Sequence, residues 1–455
     1  MNILEGQKLI KNKDYIKALN LFLKLEKKEV NNDSIFFYLG LIYFELNKFS
    51  KSIFYYSQFL RRQPKSEAGL LNFALAKQAV GELETAKELY LKIININKHN
   101  VRAYYGLYML DVKFLKNNLF QNLYETSKIE KLDFYQKGII DFLFSKKAKI
   151  ENDKKKEIKY LENSHKKIFN SNKSYNLSAQ FYYNNVISKF FDKLVILDKE
   201  KIDNKIYNKK VGPIFIIGLP RSGSTLIESI LTSSVENLVS YGECHVFNMS
   251  ILDQLSSKIF FGKFNDQDFE FIINYKKLRK SVLEKYSQFS NLGNIKFIDK
   301  SLENIFNIEL IKNIFPEAKF INTYRNPLDS VISIYQSMLP DLSWTHSIKD
   351  ILVYIDNHYK VLKYFKLKYP DIIMDISLEE FTEKSEKLTR QMFNFCHLTW
   401  SENTLSFYKR KNLFSKTLSF TQIRSKVSKY NKNKYQPYYS LLNQYKSKYS
   451  WLNLN

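Results

Sequence analysis

The residues with the clearest potential for chemistry form a glycine turn, GLPRSGST, at positions 218–225. The turn follows the apolar run Val211–Gly218 and precedes a helical segment that begins LIESILTSS. Consecutive backbone amides and a helix N-terminus give such a turn partial positive charge, and Gly223 lets an anion approach the backbone closely. The residues predicted to bind a phosphate here are Arg221, Ser222, Gly223, Ser224 and Thr225.

The spacing of this turn fits the phosphate loop of nucleotide triphosphatases at every position except one. Ser224 stands where those enzymes carry the lysine that holds the β- and γ-phosphates. A kinase or ATPase is therefore poorly supported. A donor with a single 5′ phosphosulfate group fits better, because backbone amides, hydroxyls and Arg221 suffice to hold it.

A second candidate anion site lies about a hundred residues beyond the first, in AKFINTYRNPLDSVIS at positions 318–333. Arg325 ends a predicted strand and offers a planar fork to a phosphate, while Ser333 on the next helix offers a hydroxyl to the same group. Two separate anion sites predict a nucleotide that carries phosphates at both ends.

Two further residues, Glu243 in SYGEC and Lys300 in KFIDK, complete the pattern. Together the motifs resemble the PAPS-dependent sulfotransferases, especially the bacterial branch that is linked to tetratricopeptide repeats and is similar to tyrosylprotein sulfotransferases. The resemblance implies that Glu243 is the general base and that Lys300 and Arg221 stabilise the leaving phosphate. It assigns Arg325 and Ser333 to the 3′-phosphate.

The resemblance also implies PAPS (3′-phosphoadenosine 5′-phosphosulfate) as donor, PAP as product, a hydroxyl-bearing acceptor and no metal. The C-terminal region departs from the family pattern. Leu378 replaces a tyrosine of the family's R-Y-E-D-L segment, and the glycine and tryptophan signature is replaced around Asn433 and Tyr435. The segments 395–400 and 416–424 resemble the family's C-terminal lid region, where Ser419 is expected to contact the nucleotide.

The N-terminal hundred residues repeat with a period of 34. Small residues and large apolar residues recur in four columns: Gly6, Gly40 and Ala74; Ala18, Ser52 and Ala86; Phe22, Tyr56 and Tyr90; Leu25, Phe59 and Ile93. Small residues at fixed points of a helical hairpin let its two helices approach closely. The pattern resembles three tetratricopeptide repeats, for which partner or peptide binding, self-association and scaffolding all remain open.

These elements predict an α/β P-loop-like sulfotransferase domain, with a parallel sheet flanked by helices, preceded by an all-α tetratricopeptide-repeat domain. The expected domains are helical hairpins at 1–110, degenerate repeats or a helical connector at 111–204, and the sulfotransferase domain at 205–455. The length of 455 residues agrees with two or three domains.

Composition adds expectations about partners and location. The formal net charge of +25 favours an anionic partner. Nucleic acid is not expected, because the lysines are spread along the chain with Asn and Ile and form no basic stripe. Two cysteines, no apolar leader and no long apolar run predict a cytoplasmic protein without a membrane span.

Two alternatives remain open on the sequence. One is a P-loop kinase that acts on a small metabolite; the other is a repeat-based interaction protein whose nucleotide-binding domain is inactive. The acceptor of a sulfotransferase is equally open, and peptide tyrosine, a glycan, a lipid or a small alcohol are all compatible with the motifs.

Overall fold

The computed structural model describes residues 2–29, 32–197, 212–235, 238–259, 271–289, 296–410 and 413–453. The chain folds as two compact units. The first comprises residues 1–171 and 411–424, and the second comprises residues 172–410 and 425–455. The expected boundary at 204/205 lies outside the described residues, and the expected boundary at 110/111 lies inside the first unit.

The first unit is all-helical, with a 3-10 turn at Val112–Lys116. Its helices are α1 (Ile3–Lys11), α2 (Tyr15–Lys28), α3 (Asp33–Glu45), α4 (Phe49–Arg62), α5 (Glu67–Val80), α6 (Leu83–Ile96), α7 (Val101–Leu110), α8 (Asn118–Ser127), α9 (Phe134–Ile150) and α10 (Lys154–Ser171). A short 3-10 turn at Gln422–Arg424 also belongs to this unit.

The four repeat columns are buried in the hairpins. Gly40 shows why its column is small, because a Cβ there would lie 2.8 Å from the ring of Tyr56. Ser52 adds a polar tie across the same hairpin, since its Oγ donates to the Gly40 carbonyl at 2.8 Å. Close helix contact therefore explains the period of 34.

The α9–α10 hairpin repeats this packing at a different spacing. Ser164 Oγ donates to the Gly138 carbonyl at 2.8 Å, and a Cβ on Gly138 would lie 2.7 Å from Ile168. The paired serine and glycine are 26 positions apart here, against 12 in the α3–α4 hairpin. The longer helices of 17 and 18 residues explain why the period decays in this part of the sequence.

The helix N-caps follow the repeat as well. Asn32, Ser66 and Asn100 each accept a hydrogen bond from a backbone amide in the first turn of α3, α5 and α7. Such caps satisfy amides that have no partner within the helix. The three capping residues are 34 residues apart, so they repeat with the same period as the four buried columns.

A segment from the C-terminal part of the chain, residues 413–424, belongs to the first unit and is called the returning segment. The Ser415 amide and the Arg424 guanidinium both donate to the carbonyl of Ala79, each at 3.0 Å. Lys416 Nζ donates to the carbonyl of Glu45 at 3.2 Å. Hydrogen bonds to the ends of α3 and α5 therefore hold this segment against the hairpins.

The second unit contains seven strands and ten helices in its described part. The strands are β1 (Leu194–Leu197), β2 (Ile214–Gly218), β3 (Val239–Ser240), β4 (Phe271–Asn274), β5 (Phe297–Asp299), β6 (Lys319–Tyr324) and β7 (Ile373–Ser377). The helices are α11 (Lys173–Phe181), α12 (Phe190–Lys193), α13 (Ser224–Leu231), α14 (Val246–Ile259), α15 (Tyr275–Ser287), α16 (Ile308–Ile314), α17 (Pro327–Tyr335), α18 (Ile348–Lys368), α19 (Leu378–Glu383) and α20 (Ser385–Phe395). Short turns complete it: a π-helical turn at Tyr182–Val186 and 3-10 turns at Ile187–Lys189, Leu302–Asn307, Ser343–His346, Glu402–Lys409, Gln436–Tyr445 and Ser450–Asn453.

The main sheet has the order β3-β5-β2-β6-β7, and all of its strand pairs are parallel. β1 and β4 form a separate parallel pair. From β2 the chain passes first to one side of the sheet and then, after β5, crosses to β6 on the other side. Ligands of such sheets bind beyond the carboxyl ends of the strands, where the order reverses. The predicted parallel sheet with flanking helices is confirmed.

None of the helices in the described part of the chain is both long enough and apolar enough to cross a bilayer.

Candidate active site

The glycine turn leaves the carboxyl end of β2 in a conformation that depends on its two glycines. Gly218 has φ +136°, and a Cβ there would lie 2.2 Å from the carbonyl oxygen of Thr323 on β6. Gly223 has φ +94°, and a Cβ there would meet Leu378 at 2.9 Å. The turn therefore packs tightly between β6 and the start of α19, and its backbone path requires glycine.

The predicted phosphate ligands of the turn do not all face the same way. Ser222 is buried, and its hydroxyl donates to the Leu219 carbonyl at 2.6 Å and lies 2.8 Å from Thr323 Oγ1. That hydroxyl fixes the turn to β6. Ser224 and Thr225 open α13, where backbone amides have no partner within the helix. Arg221 is half-buried with φ +68°.

The structure brings Lys300 and Glu243 together, as two parts of one ion pair. Lys300 follows β5 and is completely buried, and its Nζ lies 2.6 Å from Glu243 Oε1. The Lys300 amide also donates to the Gly242 carbonyl at 2.9 Å, which fixes the two loops to each other. About half of the Glu243 side chain remains exposed, at 46%. One carboxylate oxygen therefore binds the lysine while the group stays accessible.

A third residue of this group, Glu228, was not predicted from the sequence motifs. It lies on α13, one helical turn after Ser224, and its Oε2 is 3.7 Å from Lys300 Nζ. Its other oxygen accepts a hydrogen bond from Ser240 Oγ at 2.5 Å. Glu228 thus joins the helix that follows the glycine turn to the Lys300–Glu243 pair. Its helical position gave no signal, because a single Glu on a mixed helix is usually solvated.

The charges of this group shift one another's ionisation. Burial acts to raise the pKa of Glu243, but the Lys300 ammonium outweighs it and lowers that pKa below its usual value. Burial raises the pKa of Glu228 even though Lys300 opposes the shift. Burial disfavours the charged form of Lys300, yet Glu243 and Glu228 together raise its pKa. The arrangement keeps a cation and an accessible carboxylate side by side at neutral pH.

A buried network supports Lys300 from behind. Asp299, at the end of β5, accepts hydrogen bonds from Tyr286 at 2.5 Å, from the Ser301 amide at 2.8 Å and from the Cys244 thiol at 3.2 Å. Burial raises the pKa of the Cys244 thiol well above its usual range. Cys244 is therefore a packing residue beneath the Glu243 loop, and its thiol stays protonated.

The loop also carries a histidine held by a carboxylate. The His245 amide donates to Ser301 Oγ at 2.8 Å, and His245 Nδ1 lies 2.5 Å from Glu303 Oε1. Ser301 and Glu303, which follow β5, therefore hold the loop at His245, next to Glu243.

The second predicted anion element is built at the carboxyl end of β6. Arg325 is buried in the turn to α17, and its Nη2 donates to the Asp329 carbonyl at 2.7 Å. Ser333 lies two turns along α17, also buried. Tyr435, from the C-terminal tail, connects them: its hydroxyl donates to Ser333 Oγ at 3.1 Å and its ring lies 5.1 Å from the Arg325 guanidinium carbon.

The region after β7 contributes to the same edge of the sheet. Glu379 Oε1 accepts a hydrogen bond from the Asn326 amide at 2.6 Å, beside Arg325. Leu378, which replaces the family's tyrosine, packs over Gly223. Ser419 belongs to the first unit, within the returning segment, so its predicted contact with the nucleotide stays a prediction.

Residues 213–402 match the model of the sulfotransferase family. The matched region contains the glycine turn, Glu243, Lys300, Arg325 and Ser333.

The chain is similar to two known proteins over different lengths. It is 25% identical over 438 residues to an uncharacterized protein of Aquifex aeolicus (strain VF5). The match covers 91% of this chain and 54% of that protein. The chain therefore spans about half the length of that relative. It is 33% identical over 109 residues to a TPR repeat-containing protein of Methanocaldococcus jannaschii. This match covers 23% of this chain and 18% of that protein.

Two solved structures are similar at low identity. The sulfotransferase STF1 from Mycobacterium tuberculosis H37Rv is 11% identical, with 68% of this chain and 98% of that chain covered and a TM-score of 0.31. The sulfotransferase STF9 from Mycobacterium avium is 10% identical, with 72% and 95% covered and a TM-score of 0.27.

Proposed function

We propose that the protein is a PAPS-dependent sulfotransferase that moves a sulfuryl group to a hydroxyl acceptor. The observation that carries the proposal is the buried Lys300 ammonium, paired with Glu243 and linked through Glu228 to the helix that opens at the phosphate turn. A cation, an accessible carboxylate and the helix that follows the glycine turn therefore lie in one group, which supports sulfuryl transfer.

The residues fit a nucleotide with two anionic ends. At one end, Gly223 has no Cβ, and the amides at the start of α13 would bind a phosphate. At the other end, Arg325 is buried, and its Nε has no hydrogen-bond partner in the described part of the structure. A buried guanidinium nitrogen without an acceptor is costly, so an anionic ligand would satisfy it.

PAPS, when bound, would supply the sulfuryl group and a phosphate leaving group. Glu243 would accept the proton of the acceptor hydroxyl, because its pKa is lowered and it remains a carboxylate at neutral pH. Lys300 and Arg221 would stabilise the negative charge on the leaving phosphate. Arg325 and Ser333 would hold the 3′-phosphate, and Ser224 and Thr225 the 5′ end.

The repeat unit would bind the acceptor or a protein partner, as helical-hairpin arrays commonly present extended binding surfaces. Peptide tyrosine, glycans and smaller alcohols all carry the reacting hydroxyl, so each is a candidate acceptor.

Titration with PAP, followed by thermal unfolding, tests the nucleotide assignment. PAP at a hundredfold excess over its Kd should stabilise the folded protein by about 2.7 kcal/mol. Transfer of labelled sulfate from PAPS to tyrosine peptides, glycans and alcohols then tests the reaction. Stabilisation by ATP with Mg²⁺ but not by PAP would support a metabolite kinase instead.

A further inference from the structure

The C-terminal tail, residues 425–453, attaches to α17 through tyrosine hydroxyls. Tyr430 and Tyr439 both donate to the carboxylate of Asp329, the latter at 2.6 Å. Tyr435 is different, because its hydroxyl donates to Ser333 at 3.1 Å and its ring faces Arg325. Of these three tyrosines, Tyr435 therefore contacts both residues of the predicted 3′-phosphate site.

The surroundings of Tyr435 suit an anion. Tyr435 and Arg325 are 6% and 5% exposed, so any group between them is shielded from water. Arg325 and Lys434 supply positive charge beside the phenol. The nearby carboxylates are already engaged: Asp329 accepts from Tyr430 and Tyr439, and Glu379 accepts from the Asn326 amide and from Ser377.

We propose that Tyr435 is a third ligand of the 3′-phosphate, so that the tail determines the preference for a nucleotide with a 3′-phosphate over one with a 3′-hydroxyl. The inference rests on the proposed function. The phenol would donate a hydrogen bond to a phosphate oxygen, together with Arg325 and Ser333. No bond is made or broken in this step.

The ionisation of Tyr435 gives the proposal a pH signature. Burial acts to raise the pKa of this phenol, but Arg325, Lys434 and the Ser333 hydrogen bond outweigh it and bring the pKa to about 8. Below that pH the phenol is neutral and can donate. Above it the phenolate has no proton to donate, repels a phosphate and competes for Arg325. Affinity for PAP should therefore fall as pH rises through about 8.

The test compares calorimetric titrations of PAP and of 5′-AMP with the full chain. For Tyr435→Phe we expect the affinity for PAP to fall about 10-fold, as for a lost hydrogen bond to a charged group, with the affinity for 5′-AMP unchanged. The fall in PAP affinity above pH 8 should also disappear. Tyr439→Phe is the matched control, because it removes a tail hydroxyl that binds Asp329 and should leave both nucleotides bound as in the wild type.

The outcomes separate the two proposals. If the wild type binds no PAP, the proposed function fails, and the tyrosine proposal fails with it. If the wild type binds PAP but Tyr435→Phe binds it equally well, or loses PAP and 5′-AMP alike, only the tyrosine proposal is overturned. Tighter PAP binding by the variant would show that Tyr435 obstructs the 3′-phosphate site, and this result would also overturn the tyrosine proposal. Should the variant not fold, a pH-independent affinity of the wild type between pH 7 and about 9 would decide against the proposal.

Discussion

Lys300 and Glu243 are 57 positions apart in the sequence, yet Nζ and Oε1 lie 2.6 Å apart at the carboxyl edge of the sheet. The lysine is buried, and the glutamate is partly open to solvent. A single contact therefore joins the cation expected to stabilise the leaving phosphate to the carboxylate expected to accept the proton.

Replacing Glu243 by Gln should lower the rate of sulfuryl transfer by about 10² to 10⁴, since general-base assistance is lost. PAP affinity should stay within about twofold, because the amide still reaches Lys300. Kinetics and PAP titration measure the two effects. Glu284→Gln, an exposed position on α15 in the same unit, is the matched control and should keep full activity. A fully active Glu243→Gln would remove this residue from the mechanism.

The wild-type rate should show no loss between pH 7 and about 5 that is due to Glu243. Lys300 lowers the pKa of this carboxyl below its ordinary value of 4.5, so the base is ionised throughout that range. A pH profile of kcat/KM measures this. An acid limb that vanishes in Glu243→Gln would contradict the ion pair as the resting state.

Replacing Lys300 by Met should destabilise the fold by on the order of 3–5 kcal/mol, because it leaves the Glu228 carboxylate buried without its cation. Denaturant unfolding measures this. The double variant with Glu228→Gln should recover much of the loss. Burial already raises the pKa of Glu228. In the Lys300→Met variant, Glu228 therefore binds its proton more strongly in the folded state than in the unfolded state. The free energy of unfolding of this variant should fall as pH rises from about 4.5. The double variant should lack that slope.

Arg325→Ala should abolish most of the thermal stabilisation by PAP while leaving that by 5′-AMP intact, because the guanidinium is assigned to the 3′-phosphate. Arg390→Ala offers a control, since Arg390 lies in the same unit but pairs with Glu386 on the surface of α20. Equal loss of both nucleotides in Arg325→Ala would indicate a role in folding rather than in recognition.

Gly218→Ala should be poorly tolerated, because the added Cβ would lie 2.2 Å from the Thr323 carbonyl at a φ of +136°. Gly242→Ala is the matched comparison. It also has positive φ, at +63°, but its nearest neighbour would be 4.0 Å away, so only backbone strain of about 1–2 kcal/mol is expected. Similar unfolding free energies for the two variants would show that β6 yields easily to the new side chain.

The sequence was most informative where contacts are local. The glycine turn lies between one strand and one helix, so its spacing was visible in the sequence, while its role as a phosphate site stays a prediction. The repeat columns were visible because each helical hairpin makes the same contacts as the one before it. The N-caps at Asn32, Ser66 and Asn100 recur with the same period of 34.

Contacts between distant parts of the chain were not predictable in this way. Tyr430, Tyr435 and Tyr439 meet α17 across 101 to 110 positions, and their tail has no period that would mark it. The hydrogen bond between the Ser222 and Thr323 hydroxyls spans 101 positions, so the spacing of the motif gave no sign of it. Glu228 is a similar case, since its partner Lys300 follows a different strand.

The returning segment has a consequence for the gene as well as for the protein. The chain enters the first unit for a second time at 411 and leaves it again at 425. One recombination breakpoint therefore cannot exchange the helical hairpins for another module, because the residues hydrogen-bonded to Ala79 and Glu45 are encoded 345 and 371 positions further along. A variant that exchanges the hairpins must therefore also exchange residues 411–424. The two parts of the first unit have to be changed together.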